Sequence, residues 1–213
     1  MIALASADPI PIPGTWGHLA DDFVETETAT GLLPVAHHLG CETLIPMGHS
    51  VGGGMAIAAA SQLTTRCAAA VTLATQAFVE EHTLAGIRNA QEAFSKPGQV
   101  ERLARYHGDK APWVLSAWFD TWLRSSFASY TLDRFLVRTS CPLLVLSGDR
   151  DEYVSRRNPE RISAMAAGPV EMQIIANCGH LINREHPEQV VSAVTRFLSA
   201  HLSPSDIAQP FQT

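Results

Sequence analysis

Three features predict an α/β chain: a mostly parallel sheet flanked by helices, short at its N-terminus and carrying a helical cap. First, the apolar run Thr43 to Met47 meets Gly48 and then an Ala-rich stretch from Gly52 to Leu63, which reads as strand, sharp turn and tightly packed helix. Second, three more short apolar runs, Ala68 to Thr75, Leu143 to Ser147 and Glu171 to Ala176, alternate with segments of helical spacing, the order that builds a parallel sheet. Third, 213 residues, 46% hydrophobic and 17% charged, suffice for one good core and do not require a second full domain.

The Pro- and Gly-rich start through Pro13 and Gly14 reads as loop. A helix is expected from Leu19 to His38, stopped by Gly40, with Gly31 and Pro34 as interruptions. Between the second and third strands, Phe78 to Arg138 has helical apolar spacing and holds Trp113, Trp118 and Trp122, the pattern of an excursion from one domain. The expected division is therefore a core of residues 1–77 and 139–213 and a cap of residues 78–138. The last helix is the clearest: Val190, Val191, Val194, Phe197 and Leu198 repeat at helical spacing behind Pro187 and Glu188.

A net charge of -6 without any Lys/Arg cluster argues against a nucleic-acid partner, because phosphate neutralisation needs a concentrated basic face. A small neutral or weakly charged ligand fits better. Cys41, Cys67, Cys141 and Cys178 lack the short spacing of metal or redox sites and read as reduced core thiols. No His/Cys/Asp set has ligand spacing, and Gly52-Gly53-Gly54 belongs to the turn rather than to a phosphate loop, so neither metal nor cofactor is expected. No apolar run approaches the ~20 residues of a membrane span, and Pro9, Pro11 and Pro13 interrupt the N-terminal apolar patch too early for a secretory signal. The expectation is a cytoplasmic protein with no membrane partner; a homo-oligomer stays open.

Gly48-His49-Ser50-Val51-Gly52 fits G-x-S-x-G, in which a serine stands on a strained turn between strand and helix. That placement puts Ser50 at a helix N-terminus, where free N–H groups favour negative charge, and makes the amide of Val51 a candidate oxyanion donor. Serine needs a base, and a base needs an orienting carboxylate. Of nine histidines, His37 and His38 end a helix, His82 and His107 lie in the cap, and His18, His186 and His201 read as loop or surface. His49 adjoins the nucleophile with its side chain expected to point away; it joins Trp113, Trp118 and Trp122 as a candidate pocket residue, the indoles serving equally well as cap core. His180 follows the last strand, at the carboxyl end of the sheet where Ser50 also lies and where α/β ligand sites form. Gly148-Asp149-Arg150-Asp151 ends the third strand at the same edge. Asp151 is the favoured partner of His180, being further along its loop, with Asp149 expected to pair with Arg150.

With these residues in place the sequence resembles the α/β-hydrolase superfamily over almost its whole length: Gly48 to Gly53 matches the nucleophile elbow, Pro142 to Asp151 the acid strand and loop, and Gly179-His180 with Glu185-His186-Pro187 the histidine region. The cap segments Phe78 to Arg88 and Leu103 to Asp109 resemble a bacterial esterase-like subgroup. The resemblance implies a serine hydrolase acting on a small carboxylic ester through Ser50, Asp151 and His180. Members usually carry three or four strands before the elbow, with a His-Gly loop supplying a second oxyanion N–H. Here Asp8-Pro9 resembles the stretch that follows the fourth strand, which implies an N-terminus lost or genuinely short. One missing oxyanion donor typically costs about 10²–10³ in kcat. Val51 also replaces an acidic residue common in the subgroup, and Pro46 inside a central strand fits an exposed edge better. Lactone, thioester or carbon–carbon hydrolysis could use the same three residues, whereas an incomplete oxyanion site leaves a non-catalytic ligand-binding module as the alternative.

Overall fold

Four parallel strands, in spatial order β1-β2-β3-β4, carry the molecule in the computed structural model, which describes residues 19–203. They are β1 (Met47–His49), β2 (Ala70–Leu73), β3 (Leu143–Gly148) and β4 (Val170–Ile175). The N-terminal Pro/Gly stretch, Asp8-Pro9, His18 and the tail after residue 203 lie outside the described residues.

The segment preceding β1 is a helical run in three pieces: α1 (Phe23–Glu27), a π-helical turn at Thr28–Leu32, and α2 (Leu33–His38). The irregular turn falls beside Gly31 and Pro34. Proline has no N–H for the ladder and crowds the preceding turn, so the backbone accommodates it by widening. The Thr28 hydroxyl donates to Val24 O at 2.7 Å, helping to satisfy that turn.

The first strand differs from expectation. It occupies Met47–His49 rather than Thr43 to Met47, with only an isolated bridge, Leu44 to Cys67, upstream. Pro46 lies just outside it and accepts from Val71 N at 3.0 Å. An edge position explains the tolerance: β1 pairs only with β2 among the described residues, so the N–H that proline lacks is not needed on the other side.

Burial follows the strand order. β2 and β3 are buried throughout, whereas β1 and β4 are partly exposed at the two edges. The pleat sends alternate residues to opposite faces. Leu143 and Val145 join one core with Ile57, Phe119 and Phe135, while Leu144 and Leu146 join the other with Ile175, Ile182 and Phe197.

On the first face lies α3 (Val51–Leu63), whose Ile57, Ala58 and Ala59 are fully buried; small side chains let it sit close to β1 and β2. On the second lies α10 (Pro187–His201), preceded by the single turn α9 (Ile182–Glu185).

Between β2 and β3 the chain is helical: α4 (Glu81–Phe94), α5 (Gln99–His107), α6 (Ala111–Trp122) and α7 (Asp133–Leu136). The excursion closes at its base through the Phe78–Thr131 bridge and the bond from Leu132 N to Ala77 O, 2.8 Å. Beyond that closure α7 packs on α3 and on α8 (Arg157–Met165).

Cys67, Cys141 and Cys178 are buried, Cys41 is half-buried, and all four are free. Cys67 and Cys141 touch, Sγ to Sγ 3.4 Å, at the starts of β2 and β3. No helix among the described residues is long and apolar enough to cross a membrane.

Candidate functional site

The carboxyl ends of the strands gather the candidate residues. Ser50 stands alone between β1 and α3, with φ 55° and ψ -127°, a positive φ that a side-chain-bearing residue adopts only when its surroundings force it. The forcing is visible at Gly48: a Cβ there would lie 1.9 Å from Gly52 O and 2.1 Å from its carbonyl carbon. Only glycine lets the first turn of α3 fold back so closely on β1. The second glycine of the motif differs, since a Cβ on Gly52 meets nothing within 4 Å. The crowded partner is the next residue, Gly53, whose Cβ would fall 1.8 Å from Thr75 Oγ1.

Val51 is the first residue of α3, so its N–H has no acceptor within the helix, as the expected oxyanion role requires.

Asp151 lies three residues beyond the end of β3, and His180 five beyond the end of β4. The two are joined: His180 Nδ1 lies 2.9 Å from Asp151 Oδ2 and 3.1 Å from Oδ1, with side-chain exposures of 10% and 0%. Asp151 Oδ1 also accepts the backbone N–H groups of Tyr153 (2.8 Å) and Val154 (2.9 Å), so its own loop pins the carboxylate.

The histidine loop is held by carboxylates at three successive amides. Cys178 N donates to Asp149 Oδ1 (3.1 Å), Gly179 N to Glu185 Oε2 (2.8 Å) and His180 N to Glu152 Oε2 (3.3 Å). Asp149 therefore does not serve Arg150 as expected. Its carboxyl is held below the ordinary range first by the Cys178 and Asn177 amides, with Arg150 a lesser influence, and the Arg150 guanidinium donates to Asn177 Oδ1 instead. Neutralising exposed backbone donors is the better geometric use of an acceptor at that point in the loop.

The Ser50 hydroxyl bonds Gln76 Oε1 at 3.3 Å, rather than the imidazole of His180. Gln76 is buried just beyond β2, so all four strands contribute a polar side chain at this rim. Sequence reasoning missed Gln76, although its place past a strand's carboxyl end is the signal that marked Asp151 and His180.

His49 does not stand free in a pocket. Its Nε2 lies 2.8 Å from His180 O and its ring 4.7 Å from the His180 ring, while burial pushes its pKa down. The tryptophans divide. Trp122 is buried against Phe127 and Tyr130, ring centroids 5.3 and 5.7 Å apart, which makes it cap core. Half-buried Trp118 packs 5.8 Å from Tyr153, whose ring lies 4.9 Å from His180, so it reaches the site through one intermediary. Trp113 is half-buried on the same helix. An indole every four or five residues on α6 cannot present all three to one place, because that spacing drifts around the helix.

The model of the alpha/beta hydrolase family matches residues 4–193. The chain belongs to the alpha/beta hydrolase family. Solved structures of similar fold include NosK from Streptomyces actuosus, 21% identical with TM-score 0.67, covering 85% of this chain and 79% of that one. A bacterial membrane phospholipase A is 20% identical with TM-score 0.65, over 88% of this chain and 66% of the other. An esterase from Thermogutta terrifontis is 22% identical with TM-score 0.57, over 84% and 73%. A search of curated proteins returns no match. At such identities the likeness is one of fold, and this alpha/beta hydrolase spans only about two thirds of the phospholipase's length. Among its described residues no group of three or more His, Cys, Asp or Glu could hold a metal ion.

Proposed function

We propose that this chain cleaves a small carboxylic ester or related acyl bond, with Ser50 as nucleophile, His180 as general base and Asp151 as the group that orients and balances the imidazole. The observation that carries the reading is the buried Asp151–His180 pair at the same rim as the strained serine. A carboxylate can only accept, so His180 Nδ1 carries a proton and Nε2 is left as the base.

In the acylation step His180 Nε2 takes the Ser50 proton as Oγ bonds the substrate carbonyl carbon. The carbonyl oxygen becomes an oxyanion facing the Val51 N–H, and the alcohol leaves with the proton from Nε2. Water then repeats the sequence on the acyl-enzyme, releasing the acid and restoring Ser50. For this to begin, the hydroxyl turns from Gln76 to the imidazole, a tightening that substrate binding commonly brings about.

The Gln76 bond also favours a second reading, a ligand-binding α/β-hydrolase scaffold in which the serine is held away from its base. A fluorophosphonate probe separates the two. Labelling of the wild type that disappears in Ser50→Ala supports hydrolysis; an unlabelled wild type that a ligand still stabilises equally with and without the Ser50 hydroxyl supports the scaffold.

A further inference from the structure

We propose that His49 and His82 are positioning residues that clamp the base and the acid of the site by their main chains, His49 holding the carbonyl of His180 and His82 the carbonyl of Asp151. The assignment rests on the reading of Ser50, Asp151 and His180 given above.

Both bonds are 2.8 Å long, and both join segments remote in sequence, 131 and 69 residues apart. A backbone carbonyl only accepts, so in each case Nε2 carries the proton and donates. His49 immediately precedes Ser50, so its bond ties the elbow to the histidine loop while the Ser50 hydroxyl bonds elsewhere. Burial pushes its pKa down; a neutral ring at this place holds the loop without opposing the positive charge that His180 acquires in the reaction.

His82 sits in the first turn of α4 and reaches the acid loop from the cap side. The next residue, Thr83, donates its hydroxyl to Tyr153 O at 2.7 Å. One turn further on, a Cβ at Gly86 would stand 2.2 Å from Glu152 O, so the helix lies directly on that carbonyl. Three successive carbonyls, of residues 151, 152 and 153, thus face α4. The carboxylate of Asp151 is fixed by its own loop and its main chain by the cap, which leaves the acid little freedom to drift from His180.

The test replaces each histidine by leucine, which removes the donor, and by glutamine, whose amide restores one. With p-nitrophenyl butyrate as probe, each leucine variant is expected to lose about 10²-fold in kcat, the cost of a misplaced catalytic group. KM is expected to stay within about twofold, and the glutamine variants to recover most of the rate. Loss of thermal stability with kcat of the folded protein unchanged would overturn the proposal. A second readout needs no turnover and no variant of either histidine: ¹⁵N-resolved imidazole spectra of the full chain carrying Ser50→Ala. Protons on Nε2 of both residues are expected; a proton settled on Nδ1 alone of either, or tautomers averaging freely, would overturn it. A wild-type chain that fluorophosphonate fails to label, with these tautomers present in Ser50→Ala, would sink the hydrolase reading and leave the clamp standing.

Discussion

The two glycines of the elbow motif are expected to respond in opposite ways to one added methyl group. In Gly48→Ala the new carbon would meet backbone, Gly52 O at 1.9 Å and Gly52 C at 2.1 Å. No rotamer relieves that contact, so strand and helix must part by more than 1 Å. Overpacking of this kind costs typically about 1–3 kcal/mol, and a clash with main chain belongs at the upper end. In Gly52→Ala the methyl enters open space on a helical residue, where alanine is favoured over glycine by up to about 1 kcal/mol. For a chain of this size each kcal/mol moves Tm by about 2–4 °C. Gly48→Ala should therefore melt roughly 6–12 °C lower, or fail to accumulate as soluble protein, and Gly52→Ala should melt at the wild-type temperature or up to about 4 °C higher. Differential scanning calorimetry of the three proteins decides it. Equal losses at both positions would mean that the close approach of β1 and α3 is not as described, and the strained geometry of Ser50 would lose its explanation.

Three further outcomes are expected. Asn158 is fully buried and accepts from Ala77 N at 2.8 Å while donating to Glu80 Oε1 at 2.6 Å; Asn158→Leu leaves the Ala77 N–H unpaired, Glu80 keeping Ser155 N and Arg157, and should cost about 1–3 kcal/mol, read as a lower urea midpoint. Stability should also fall on mild acidification: with the folded His49 pKa below its ordinary 6.5, the unfolded chain takes up the proton first. That contribution is complete above about pH 6.5 and is lost as pH drops towards the folded value. Urea midpoints measured through this window should decline less in His49→Gln; identical slopes would refute the assignment. Asp151→Asn should retain the fold, because its side-chain oxygen can still accept from Tyr153 N and Val154 N, yet lower kcat about 10⁴-fold by stabilising the wrong His180 tautomer; activity near wild type would remove Asp151 from the site.

Much of the site was legible in the sequence because its chemistry is tied to strand ends. Ser50, Asp151 and His180 each follow a short apolar run, and in a parallel sheet all such ends share one rim. Gln76 obeys the same rule and went unread, for a lone glutamine carries no chemical signature. His82 was passed over as a cap residue because nothing local in α4 announces a carbonyl 69 residues away.

Periodicity and punctuation along the chain determined the α/β class, the four strands within a few residues, the helical insertion and the elbow. These are local properties, set by where apolar side chains recur and where glycine or proline interrupts them. Tertiary structure alone decided that Asp149 serves the Cys178 amide, that Trp122 packs against Phe127 and Tyr130, and that His49 and His82 hold the carbonyls of His180 and Asp151. Each of those depends on which backbone atom or ring arrives from a distant segment, and a hydrogen bond or a clash is settled by distances of a few tenths of an ångström that no residue encodes by itself.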